Sequence, residues 1–146
     1  MRLETAVDVE AFGARLAPLL RAGDIVLLEG DLGAGKTTLA RGILRGLGLA
    51  AEAPSPTFAI LQGYEVPEVS LPVGHADLYR ISQPEVEELG LDDWLVDGAL
   101  LVEWPDRLEG RFTHVALNLR LTVAQDGARL LTAGVPAAWE DRWPIP

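Results

Sequence analysis

Two hydrophobic periods alternate along the chain. Val9, Phe12, Leu16, Leu19 and Leu20 recur at helical spacing and predict an amphipathic helix over residues 4–20. Thr5 and Asp8, three apart, fit a capping pair at its start. "IVLLE" is a continuous apolar run, as expected of a strand buried on both faces. After a glycine-rich loop, Leu39, Ile43, Leu44 and Leu47 mark a second helix that "GLGL" ends. "FAILQGYEV" and "VSLPVGHADLY" predict two strands joined by a polar loop. "PEVEELGLDDWL" predicts a helix start and a turn, with Pro84 suited to a first helical position. "GALLVEW" reads as a second buried strand. "THVALNLRLTV" and "ARLLTAGV" flank "AQDG", a hairpin with Asp-Gly at the turn. The tail "WEDRWPIP" has no period, and its two Trp are expected to dock on the body. A strand, a glycine loop and a helix, then further strands with few helices, predict an α/β fold. Its hairpins make the sheet mixed rather than purely parallel.

Length and charge narrow the setting. The 146 residues suit one domain, 1–146. A chain of that size buries roughly two-thirds of its unfolded surface and needs no disulfide or metal staple. There is no Cys, hence no pointer to an oxidising compartment. The segment "MRLETAVDVEAFG" carries acids where a signal peptide has basic and then apolar residues. No apolar run approaches the roughly 20 residues of a membrane span. The reading is a soluble, cytoplasmic protein. A net charge of -10 with no clustered Lys or Arg gives no footprint for a nucleic-acid backbone. The negative surface either serves solubility alone or favours proteins over bare nucleic acid as partners.

The chemistry starts at "EGDLGAGKTTLARG". Gly30, Gly35, Lys36 and Thr37 match the phosphate-loop pattern, between a buried strand and a helix as that motif requires. The glycines let the backbone wrap, so that N–H groups of Asp31, Leu32, Gly33, Ala34, Gly35, Lys36 and Thr37, with Thr38 beside them, cradle phosphates. The helix adds its positive end. Lys36 reaches the β and γ phosphates, and Thr37 offers its hydroxyl to Mg²⁺. Lys36 is the only Lys among 12 basic residues. A compact ammonium suits a loop wrapped on triphosphate better than a planar guanidinium does. No Asn-Lys-x-Asp segment can exist beside a sole Lys36. That argues against GTP and leaves ATP.

Three further segments supply candidates. Glu103 ends the "ALLVE" strand, at the sheet edge where ligands bind in open α/β folds. It reads as the acid that holds Mg²⁺ or its water, or as an ordinary strand-end acid. In "HADLYR", strand alternation puts His75, Asp77 and Tyr79 on one face. Asp77 either points at the phosphates and orders the attacking water or a Mg²⁺-bound water, or is a rim residue paired with an Arg such as Arg80. His75 reads as a hydrogen-bonded structural residue. In "PSPTF", two prolines stiffen a loop around Thr57, which is either a γ-phosphate-sensing switch or a plain connection. Thr5 and Trp104 are candidates for the adenine pocket.

"GDLGAGKTT", "SPTF", "HADLYR" and "VEWPDR", in this order from about Leu28 to Arg107, resemble the TsaE-type family. These are small P-loop ATPases of bacterial tRNA threonylcarbamoyladenosine synthesis. The resemblance implies a P-loop NTPase-like mixed sheet flanked by helices. It also implies an ATPase acting with the two-subunit threonylcarbamoyl-transfer synthase on adenosine 37 of tRNA, which it meets only through that complex. By motif, Thr37 and Glu103 would hold Mg²⁺, Asp77 would be the catalytic carboxylate, and Thr57 would lie in the switch loop with Lys36 on the phosphates. Phe58 stands where the family often has Tyr. No Arg is aimed at the γ-phosphate from within the chain, so slow turnover alone and faster turnover with the synthase are expected. The rival reading is a docking switch in which ATP binding, rather than hydrolysis, matters.

Overall fold

The computed structural model describes residues 1–50 and 60–145. Thr57, Phe58 and the rest of "SPTF" lie outside the described residues. Seven strands form one sheet: β1 (Arg2–Leu3), β2 (Ile25–Glu29), β3 (Leu61–Tyr64), β4 (Val73–Asp77), β5 (Ala99–Glu103), β6 (Leu117–Val123) and β7 (Arg129–Gly134). The helices are α1 (Ala6–Leu16), α2 (Lys36–Gly46) and α3 (Gln83–Glu88). The spatial order is β1-β7-β6-β2-β5-β4-β3. β2 pairs in parallel with β5 and β6, and β4 with β5, while the outer pairs are antiparallel. The sheet is mixed, as the hairpins predict.

The central strands are apolar throughout because both faces are covered. Val26, Leu28, Leu101, Leu117 and Leu119 pack with Phe12, Leu16, Leu39 and Ile43 of α1 and α2. Ile25, Leu27, Leu100 and Val102 point the other way, towards Val86 of α3 and Leu91. α1 and α2 meet backbone to backbone. A Cβ added at Gly42 would stand 2.2 Å from the Glu10 carbonyl oxygen, and one at Gly13 would stand 2.5 Å from that of Leu39. The helix that leaves the glycine loop is therefore seated firmly on its neighbour.

Local chemistry sets the boundaries. Thr5 Oγ1 accepts from the Asp8 amide at 3.2 Å and Asp8 Oδ2 accepts from the Thr5 amide at 3.0 Å, the reciprocal cap expected of α1. α1 stops at Leu16, short of the predicted residue 20, and a 3-10 turn over Ala17–Leu19 carries Pro18. Pro18 has no N–H for an α-helical bond. The hairpin forms as predicted: Val123 faces Arg129, and Gly127 at φ +88° completes the turn after Asp126. The N-terminal β1 is an addition, since two residues are too few to carry a period. The tail does dock. Trp139 is wholly buried, and Trp143 meets Phe12 edge-on at 6.4 Å. Arg142, stacked on Trp139 at 3.8 Å, makes a buried pair with Asp24 at 2.6 Å.

Candidate functional site

The loop between β2 and α2 is fixed at both ends. A Cβ at Gly30 would stand 2.6 Å from the Leu121 carbonyl oxygen, so the loop leaves β2 pressed against β6. Gly35 precedes α2 at φ +110°, a backbone that side chains oppose. It caps α2 with no side-chain hydrogen bond. The amides of the first turn, from Lys36 on, have no carbonyl within the helix to reach and stay available to an anion.

Beside this loop lies a cavity of about 250 Å³, lined by Leu32, Gly33, Gly35, Lys36, Thr37 and Thr38 and, from the sheet edge, by Asp77, Glu103 and Trp104. Ala34 is buried and does not line it. Asp31 faces an adjoining cavity of about 420 Å³ with Glu29 and Asp106, and Trp104 walls both. Of the adenine-pocket candidates, Thr5 serves as the α1 cap and does not line the 250 Å³ cavity, while Trp104 does.

Register explains why the acids meet here. His75 lies beside Leu101 and Asp77 beside Glu103 on parallel neighbours, so all four side chains share the face that carries α1 and α2. Glu103 is 2% exposed, and both its oxygens are held. Oε1 accepts from the Thr37 hydroxyl at 2.8 Å, and Oε2 accepts from His75 Nε2 at 2.7 Å. His75 Nδ1 is buried without a partner among the described residues. A bare lone pair there is cheaper than a buried unpaired N–H, which favours the proton on Nε2, facing Glu103. His75 is thus hydrogen-bonded, as the sequence suggests, with Glu103 as its partner. Asp77 is buried as well, and its Oδ1 accepts from the Tyr79 amide at 3.0 Å.

Lys36 is 5% exposed. Its ammonium donates to the carbonyls of Gly30 and Asp31 and lies 4.2 Å from the centroid of the Trp104 ring. Tyr79 backs that ring at 4.7 Å. Burial pushes the Lys36 ammonium below its ordinary value, and the carboxylates of Glu103, Asp77 and Asp31 only partly offset this. Trp104 holds φ +59°, uncommon for a residue with a side chain, directly after Glu103.

The residues fit a nucleotide with Mg²⁺. The Thr37 proton points at Glu103, which leaves the hydroxyl's lone pairs for a cation. Among the described residues no three His, Cys, Asp or Glu form a metal cage. Mg²⁺ is ordinarily held by one or two carboxylates with phosphate oxygens and water, so none is needed. Sequence reasoning missed one residue here. Arg129 of β7 also lines the cavity and donates to the loop carbonyls of Gly33 and Ala34. No local signal could have placed it, because it stands 95 positions after Ala34 in the chain.

Comparisons with known proteins identify relatives of the chain. The model of the family described as "Threonylcarbamoyl adenosine biosynthesis protein TsaE" matches residues 3–131. A Streptomyces coelicolor protein named tRNA threonylcarbamoyladenosine biosynthesis protein TsaE is 46% identical over 75% of this chain and 75% of its own length. Its Bacillus subtilis namesake is 38% identical over 86% of this chain and 78% of its own. The crystal structure of YdiB from Bacillus subtilis superposes with a TM-score of 0.78 at 31% identity, covering 97% of this chain and 88% of that one.

Proposed function

Given that the chain belongs to the TsaE family of threonylcarbamoyl adenosine biosynthesis proteins, we propose that it is a Mg²⁺-dependent ATPase. It would serve the step that modifies adenosine 37 of tRNA, in the cytoplasm, with the two-subunit threonylcarbamoyl-transfer synthase as its protein partner. One observation carries the reading: Thr37 of the phosphate loop and Glu103 of the neighbouring strand are hydrogen-bonded at 2.8 Å across the mouth of β2 and β5. A loop that is only a glycine turn has no need of a buried carboxylate aimed at its Thr.

The roles follow from what each group can still do. Amides of residues 31–37, other than that of Ala34, which donates to Asp31 O, bind the phosphates with the start of α2. Lys36 exchanges its two loop carbonyls for phosphate oxygens. Thr37 and Glu103 are the residues that would hold Mg²⁺, which would supply a compact divalent charge to offset that of the phosphates. Both oxygens of Glu103 are already committed to Thr37 and His75. Asp77 lines the cavity on the same face, and that position supports it as the carboxylate that orients the water. The water oxygen attacks the γ-phosphorus, the bond to the β-bridging oxygen breaks, and the water's proton leaves with inorganic phosphate. Arg129 directs its donors at backbone carbonyls rather than into the cavity. The chain is therefore expected to turn over slowly alone and faster with a cation supplied by its partner, a gain of about 10³ to 10⁵ where such a group operates.

The test is steady-state phosphate release with Mg²⁺, with and without the synthase, beside ADP binding by calorimetry. Asp77→Asn should keep ADP affinity within about twofold while its kcat falls on the order of 100-fold. Lys36→Ala should weaken binding. Loss of affinity in Asp77→Asn with kcat intact would show that its role is misassigned. Equal rates with and without the synthase would remove the partner from the mechanism.

A further inference from the structure

The glycine loop is held by two side-chain cations rather than one. Lys36 takes the carbonyls of Gly30 and Asp31, in the first half of the loop. Arg129 takes those of the second half: Nε donates to Ala34 O at 2.8 Å and Nη2 to Gly33 O at 3.1 Å, while Nη1 donates to Gly127 O. We propose that Arg129 is the positioning residue of the phosphate cradle, a fixed brace that keeps the loop in its binding shape when Lys36 lets go of it. The inference rests on the nucleotide-binding reading above.

The argument is geometric. In a trans peptide the carbonyl and the following N–H point in opposite directions. Holding Ala34 O therefore turns the Gly35 amide away from the guanidinium. Holding Gly33 O fixes the peptide whose amide, Ala34 N, closes a turn on Asp31 O at 3.0 Å. A planar fork can hold two consecutive carbonyls at once, which a point-like ammonium cannot do with the same fixed orientation. The third donor, on Gly127 of the β6–β7 turn, anchors the fork to the sheet. When Lys36 turns to a phosphate, the Gly30 and Asp31 carbonyls lose their cation and the Arg129 contacts remain.

The test compares the folded wild type with Arg129→Gln and Arg129→Lys. Direct titration with ADP is followed by displacement of a fluorescent ADP with inorganic pyrophosphate or adenosine. For Arg129→Gln we expect ADP and pyrophosphate to bind about tenfold more weakly, the scale of one lost charge-assisted hydrogen bond. Adenosine, which has no phosphate, should compete unchanged. Arg129→Lys should lie between, about threefold weaker than wild type for pyrophosphate. Unchanged pyrophosphate binding in Arg129→Gln overturns the inference, and so does an equal loss for pyrophosphate and adenosine, which would mark general damage. If Arg129→Gln does not fold, Arg129→Lys decides: wild-type affinity for pyrophosphate there overturns the brace. A wild type that does not bind ADP overturns the parent reading, and this one with it.

Discussion

His75 offers a direct measure of how firmly the site is built before any ligand arrives. Replacing it by Ala removes the donor 2.7 Å from Glu103 Oε2, at a carboxylate that is 2% exposed. A hydrogen bond to a charged group contributes about 1.5–3 kcal/mol. The lost packing of a wholly buried imidazole adds about 1–2 kcal/mol by analogy with other large-to-small core changes. His75→Ala should therefore cost about 2.5–5 kcal/mol. Urea unfolding followed by Trp fluorescence gives that total, with the m-value unchanged. A double-mutant cycle with Glu103→Ala separates the bond from the packing, and the coupling should be about 2 kcal/mol. His75→Gln can still present an N–H donor and should recover about half of the loss. Additivity within about 0.5 kcal/mol would refute the view that His75 acts through Glu103, since partners in one hydrogen bond couple by about 0.5–3 kcal/mol. A second readout follows from Glu103 being the proposed Mg²⁺ holder. In His75→Ala the Mg²⁺ concentration needed for half-maximal nucleotide binding should rise, and His75→Gln should restore it in part.

Two further outcomes are expected. Arg142→Met strands Asp24, whose side chain is 10% exposed, and should destabilise the fold by about 3–5 kcal/mol in urea unfolding. Adding Asp24→Asn should recover most of that, and a double variant no better than the single would count against the pair. Because burial holds the Lys36 ammonium below 10.5 in the free protein, and bound phosphates would raise it, nucleotide affinity should be full below the free-state value. It should then weaken as pH rises through that value. Calorimetry of ADP binding in buffers of different ionisation heat should show proton uptake at alkaline pH, and proton release would reverse the assignment.

Much of the site was legible because its parts are local or periodic. Lys36 and Thr37 announce themselves by spacing to Gly30 and Gly35. Alternation along β4 puts Asp77 on a candidate face, since a strand repeats every two residues, and the end of a buried apolar run puts Glu103 at the sheet edge. It could not say that the two strands are neighbours in a register that sets Asp77 beside Glu103. Nor could it say that His75, one pleat back, would reach across to Glu103. Those facts belong to the crossover between strands, where sequence distance carries no information about spatial distance. The α1 end and β1 were missed for the opposite reason. Pro18 and a two-residue pairing act below the length of any period.

Arg129 is the extreme case, and it changes how the lone lysine is understood. The drift of this chain towards Arg is general, with 11 Arg against the single Lys36. If cation type were a matter of composition alone, the loop would be gripped by two guanidiniums. Instead the two grips differ in kind. Lys36 makes contacts that a phosphate can replace: two carbonyls and a ring face, on a buried ammonium whose charge is partly unfavoured until an anion arrives. Arg129 makes contacts that no phosphate replaces, because its fork holds carbonyls and is tied back to the β6–β7 turn. A cradle must hold its shape while giving up a cation to its ligand. One flexible point charge and one rigid fork meet both demands, and exchanging their types would meet neither.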